Sequence, residues 1–179
     1  VFEDEDSPIL KEMGSLTSEA LEQTAFAIRP GDTEYQIAGK LAQECWERGL
    51  EPIVNLIAVD ERILKRRHPL PTNKRLEQTA MLVVCTRRDG CIISATRMVQ
   101  FGPLTSEQQR KLTAVTNIDA HMIQASKPGV RGSELYSILK RQYEKNGFPD
   151  EFSYHQQGGL TGFATRERLA VEKADWQVV

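Results

Sequence analysis

His155-Gln156-Gln157-Gly158-Gly159-Leu160-Thr161-Gly162 is the stretch on which the reading of this chain turns. It sets one imidazole and two amides in front of two adjacent glycines. Glycine on a strand permits close approach of backbone or ligand, because it has no side chain to keep them away. Four residues beyond the stretch comes Arg166-Glu167, so a guanidinium and a carboxylate follow the imidazole closely. Gly159 itself has nothing with which to bind a ligand or a metal.

The rest of the chain sets the frame. Its 179 residues are enough for one sizeable core, and 40% hydrophobic with 27% charged residues is ordinary globular composition. The net charge of −2, without a basic stripe, excludes a nucleic-acid-binding surface. Lys65-Arg66-Arg67 and Arg87-Arg88 read as solvated loop charges. No apolar run reaches the ~18–20 residues needed to cross a bilayer. The acidic start, Val1-Phe2-Glu3-Asp4-Glu5-Asp6, is unlike a secretory leader, and a cytoplasmic protein is expected. Cys45, Cys85 and Cys91 lack metal-type spacing; Cys85 and Cys91 flank a turn and are either a cross-hairpin pair or reduced thiols, which suits a reducing compartment.

Two segments repeat. Arg29-Pro30-Gly31 leads through Glu34 to Glu47-Arg48-Gly49, and Lys127-Pro128-Gly129 leads through Glu134 to Glu144-Lys145-Asn146-Gly147. Pro-Gly to Gly spans 18 residues in both (49 minus 31, 147 minus 129), at an offset of 98 (129 minus 31). Equal spacing argues for duplication over shared helix punctuation. Periodicity predicts a helix from about Ser7 to Ile28 with Leu16, Ala20, Leu21, Thr24 and Ala27 on one face. A second helix is capped by Thr33 and carries Ile37, Leu41, Cys45 and Trp46 inward. Strands are predicted over Pro52–Val59, Met81–Thr86 and Cys91–Val99, the last two joined by the turn Arg87-Arg88-Asp89-Gly90. Asp60 to Asn73 is a charged loop holding His68-Pro69-Leu70-Pro71. Thr105 caps a helix to about Ser126 with Leu112, Val115, Ile118 and Met122 apolar, and the helix of the second unit ends near Gly147. The offset places the mate of the hairpin at about 179 to 197, so the duplicated fold is expected to stop where its second hairpin begins. The same offset sets His68 opposite Arg166.

In this order and spacing the residues resemble the pita-bread family of aminopeptidase P, prolidase, methionine aminopeptidase and creatinase. Arg29-Pro30-Gly31-Asp32-Thr33-Glu34 resembles its Pro-Gly-x-Thr-Glu helix start, and His68-Pro69 lies near its first catalytic His. Gly90-Cys91-Ile92-Ile93-Ser94-Ala95-Thr96-Arg97 is similar to Gly-Tyr-x-Ser-Asp-x-Thr-Arg. His155 to Glu167 is similar to His-x-x-Gly-His-x-x-Gly followed by His-Glu. The resemblance implies an α/β (α+β) fold of two pseudo-symmetric halves with antiparallel sheet. Residues 1–179 are expected to form a single such domain without its C-terminal hairpin and without the N-terminal domain of the creatinases. A homodimer is expected too.

The resemblance also implies a site, and here the chain departs. The family's peptidases hold two metals with two Asp, one His and two Glu. The matching positions are Val83 and Ser94, eleven residues apart, and Gly159; the two Glu would fall beyond Val179. Val and Gly supply no lone pair and Ser alone is a poor ligand, so no metal and no cofactor is expected. His68 is either an idle loop imidazole or, as in metal-free creatinase, the acid–base group. Arg166 is either a surface charge or a planar fork for a carboxylate, and His155 either a structural His or a substrate contact. Arg97, Glu167, Gly158 and Gly159 complete the expected binding residues; His121 is expected to be a surface or packed residue. Arg97, Arg166, His68 and His155 would favour an anionic or zwitterionic guest. Two functions follow: a metal-independent hydrolase of a C–N bond in a small amino-acid-like or peptide substrate, or a non-catalytic module binding a peptide or small acid. A metal-dependent Xaa-Pro dipeptidase is the minor alternative.

Overall fold

Thr33 and Thr105 each accept a hydrogen bond from the backbone three residues on, and Gln36 and Gln108 accept one back from the threonine N–H. These reciprocal caps satisfy orphan N–H groups and fix where two of the principal helices begin. The computed structural model describes residues 7–178, so the acidic start and Val179 lie outside the described residues. The elements are α1 (Ser7–Ala27), α2 (Glu34–Glu47), β1 (Glu51–Val59), α3 (Glu61–Lys65), β2 (Thr79–Arg88), β3 (Cys91–Gln100), α4 (Ser106–Ala125), α5 (Gly132–Lys145), a 3₁₀ turn (Asp150–Tyr154), β4 (Gly159–Leu160) and β5 (Arg168–Leu169). They group into two units: residues up to Pro103 with Gly162–Thr165, and Leu104–Thr161 with the segment from Arg166 onward.

The first unit is a three-stranded antiparallel sheet in the order β1-β2-β3, with α1 and α2 on one face. Strand alternation makes that face: Ala80, Leu82, Val84 and Thr86 are buried, while Met81, Val83 and Cys85 between them are only half-buried. Met13, Leu21, Ile37 and Leu41 fill the core from the helices and Ile28 from just past the end of α1, and Thr17 meets Thr86 across it at 2.7 Å between hydroxyls. Asp89 and Gly90 turn the β2–β3 hairpin at φ 51° and 84°, the left-handed pair that a two-residue turn requires. Trp46 is 59% exposed and does not point inward as its helix phase predicts; Ala27 is also exposed. Cys85 lies opposite Ser94, and Cys91 opposite Arg88 on the other face, so the hairpin cysteines do not pair, and none of Cys45, Cys85 and Cys91 is in a disulfide.

The second unit repeats the first in part. Helix α5 begins and ends 98 residues after α2 (132 minus 34, 145 minus 47). The strap along each helix start is bonded alike. Gly31 N–H donates to Leu76 O and Leu76 N–H to Asp32 O; Gly129 N–H donates to Val178 O and Val178 N–H to Val130 O. Glu34 donates to Lys74 O and Tyr35 to Thr72 O, as Gly132 does to Trp176 O and Ser133 to Ala174 O. The duplication read from the sequence is therefore present in the backbone. By the strap, however, the offset has grown to 102 (178 minus 76, 174 minus 72). His68 lies between helix and strap, where no single offset holds, so its pairing with Arg166 is not fixed. Helix α4 buries Ala114 and Ile118, while Leu112 and Val115 remain 47% and 45% exposed. No helix among the described residues is long and apolar enough to cross a membrane.

Candidate functional site

In the first unit the chain between α3 and β2 carries His68. It is an exposed residue next to the buried Pro69, and its loop is bound at both ends by carboxylates. Glu34, with no exposed surface, accepts from Val59 N–H (2.9 Å) through one oxygen; the other accepts from Arg62 Nη1 (2.5 Å), Thr72 N–H (2.8 Å) and Thr72 Oγ1 (2.6 Å). Asp60 accepts from the N–H groups of Glu77, Gln78 and Thr79, all at 2.9 Å. Burial pushes the Asp60 carboxyl up, but these three donors and Lys74 outweigh it and hold the group below the ordinary aspartate range. Asp60 also takes φ 52°, a left-handed conformation unusual outside glycine, which these bonds and the strand start impose.

The outward face of the β2–β3 hairpin carries Val83 and Ser94. Directly opposed residues share a face; Val83 pairs with Thr96 and Ser94 with Cys85, whose sulfur accepts the Ser94 hydroxyl at 3.1 Å. Arg97 pairs with the fully buried Leu82 and so lies on the other face, where its Nη2 is 3.3 Å from Glu22 of α1. Arg97 is thus turned away from Val83 and Ser94.

The second unit brings His155, Gln156 and Arg166 together, while Gly158 faces Met122 and Leu139 and Gly159 the backbone of Arg168 and Leu169. Gln157 anchors the segment: its amide N–H₂ donates to Phe152 O (3.0 Å) and His155 O (2.6 Å), and its oxygen accepts from Tyr143 Oη. His155 Nδ1 faces the Gln156 carbonyl at 2.6 Å; since a carbonyl only accepts, Nδ1 is the donor. Strands β4 and β5 then fold Arg166 back: Ala170 N–H donates to Gly158 O and Glu167 N–H to Leu160 O, both at 3.0 Å. With its amide oxygen turned to Arg166, Gln156 accepts from Nε and Nη2, each at 2.9 Å, and His155 Nε2 lies 3.3 Å away. The other amide orientation would set donors against donors. Glu167 and His121 are exposed; His121 Nδ1 bonds Asn117 O at 2.7 Å on its own helix. A cavity of about 180 Å³ between Lys111, Val115, Ile118, Tyr143, Phe148 and Glu151 was not foreseen from sequence; its walls carry no predicted site residue, and it is below the ~300 Å³ usual for ligand pockets.

At position 159 the backbone has no room. A Cβ there would lie 2.1 Å from Arg168 O and 3.0 Å from Leu169 Cα, on the paired strand, and φ is +156°. The fold, the duplication and this glycine-rich hairpin agree with the family comparison: the model of "Metallopeptidase family M24" matches residues 8–175. The chain belongs to metallopeptidase family M24. It is 23% identical over 98% of its length to the "Putative dipeptidase YkvY" of Bacillus subtilis (strain 168), covering 49% of that protein. In structure it resembles the X-Pro aminopeptidase of Thermotoga maritima MSB8 (TM-score 0.89, 21% identity, 99% of this chain and 51% of that one) and the prolidase of Pyrococcus furiosus (TM-score 0.88, 21% identity, 97% and 52%). The chain spans about half the length of these relatives, and its α/β architecture of helices on antiparallel sheet is that of half a pita-bread protein.

The M24 fold implies metal ions, and the donor set can be tested against them. Val83 offers hydrocarbon, the Ser94 hydroxyl is spent on Cys85, and Gly159 has neither a ligand nor space for one. Among the described residues no three His, Cys, Asp or Glu side chains are grouped to hold a metal ion. The residues at these three positions do not fit a metal pair, since such ions need several carboxylates and imidazoles converging at short range.

Proposed function

We propose that this M24 chain recognises the carboxylate of a small amino-acid-like or peptide ligand without a metal pair. The carrying observation is the Arg166 fork, with Nε and Nη2 both aimed at one acceptor beside His155. The Nε–Nη2 edge of a guanidinium matches the two oxygens of a carboxylate, and bonds to an ionised acceptor are about twice as strong as neutral ones. Thermal-shift titration tests it: glycyl-L-proline is expected to raise the melting temperature, and Mn²⁺ or Co²⁺ to leave it unchanged. Strong stabilisation by either metal, reversed by a chelator, refutes the metal-free reading.

A second reading has one observation in its favour: the His68 loop is fixed by Glu34 and Asp60 as a loop holding an acid–base group would need to be. On that reading the protein hydrolyses a C–N bond and His68 moves the proton to the leaving nitrogen. Peptide or amide hydrolysis that persists in His68→Ala removes it.

A further inference from the structure

We infer that the Gln156 side chain is a built-in occupant of the Arg166 fork, which an incoming carboxylate must displace. The inference rests on reading that fork as a carboxylate holder. Two observations lead to it. The amide oxygen of Gln156 receives both fork donors at 2.9 Å, with His155 Nε2 at 3.3 Å, so it stands where one oxygen of a bound carboxylate would stand. Its neighbour Gln157 is committed to the scaffold through three bonds, to Phe152 O, His155 O and Tyr143 Oη, so the backbone at 156 is fixed while its side chain is free of that scaffold.

The consequence is selectivity. A neutral amide arriving at the fork exchanges one neutral acceptor for another and gains little. A carboxylate brings a second oxygen and a charge, and its bonds to the guanidinium exceed those it displaces. Gln156 thereby sets a threshold that anionic ends pass and neutral ends do not. It also lowers the affinity for every fork ligand by the cost of opening.

The test uses the full chain, glycyl-L-proline and glycyl-L-prolinamide, with binding followed by calorimetry and the peptides checked for integrity afterwards. Gln156→Ala removes the competitor and is expected to tighten glycyl-L-proline about three- to tenfold, the scale of one or two partly exposed hydrogen bonds. Gln156→Glu places a permanent carboxylate in the fork and is expected to abolish that binding. Opposite responses exclude a loss of fold as their cause. If Gln156→Ala binds no tighter than the parent, or Gln156→Glu binds as well as the parent, the inference is overturned. Arg166→Gln separates it from the reading beneath: if that variant keeps the preference for carboxylate over amide, the fork reading itself fails. If it loses the preference while Gln156→Ala matches the parent, only the role of Gln156 fails.

Discussion

Removing the Glu34 carboxylate should cost the first unit more than any other single polar deletion in it. The side chain has no exposed surface, and its four donors come from β1, α3 and the strap before β2. Glu34→Ala leaves the Val59 and Thr72 N–H groups, the Thr72 hydroxyl and the Arg62 guanidinium without their acceptor. Each orphaned buried donor costs ~1–3 kcal/mol, but the losses share one cavity and do not add; breaking a buried ion pair by removing one partner costs ~3–5 kcal/mol, which we take as the whole. For a chain of this size that corresponds to ~6–20 °C in melting temperature, at ~2–4 °C per kcal/mol. Calorimetry gives the loss, and amide exchange at Val59 and Thr72 localises it, since both amides should lose protection before the β2–β3 ladder does. Arg62→Ala and the double variant complete a cycle whose coupling should exceed about 1 kcal/mol. A loss below about 1 kcal/mol for Glu34→Ala, with Thr72 still protected, would refute the view that this carboxylate holds the His68 loop.

Three further outcomes are expected. Gly159→His, which would restore a family ligand, should disrupt the β4–β5 pairing because its Cβ meets Arg168 O at 2.1 Å, lowering the melting temperature without creating Mn²⁺ or Co²⁺ affinity; both are read in one thermal-shift series. Asp60 has a folded pKa below its unfolded value, so its contribution is present above pH ~4 and is lost as pH falls through the folded value. Asp60→Asn should therefore flatten the acid limb of a stability–pH curve while leaving its shape above pH 6. Burial pushes the Cys45 thiol up to about 11, with Glu44 adding to and Arg48 opposing the shift, so native protein at pH 8 should resist iodoacetamide at Cys45 and react at the half-buried Cys85; peptide mass mapping reads both.

What was legible in the sequence was punctuation and spacing. Thr33 and Thr105 mark helix starts because a side-chain acceptor three residues before a free N–H is a local fact. Asp89-Gly90 marks the hairpin because few residues tolerate its backbone, and the duplication shows because both copies keep the same helix length. What was not legible depends on distance. Glu34 reads as a helix-start acid, yet its partners lie 25 to 38 residues away, and only the fold shows that it is buried. Its counterpart by offset is Gly132, where a Cβ would lie 2.4 Å from the Trp176 ring. One copy fills the space with a carboxylate network, the other with an indole, and no residue pattern announces that exchange. Trp46 does not point inward as expected, because its helix carries apolar residues on more than one stripe and periodicity does not choose the buried one. Arg97 is different. It is three residues from Ser94 on one strand, so alternation alone puts the two on opposite faces.

That parity sharpens the reading of the site. Family spacing carries residues to positions, but the side a position faces and the room it offers are set by the neighbouring backbone. At Val83 the obstacle to a metal is chemical and a single substitution to Asp would remove it. At Ser94 the hydroxyl has been drawn into a bond with Cys85, so the obstacle is chemical and partly occupied. At Gly159 it is steric, because the β5 backbone stands where any side chain would begin. A site that had lost one ligand by substitution would be expected to keep the space for it. Here the β4–β5 pairing has closed that space and, by the same pairing, has carried Arg166 to the side of His155. On the proposed reading, one hairpin geometry both leaves no room for a cation ligand at Gly159 and sets the Arg166 guanidinium beside His155.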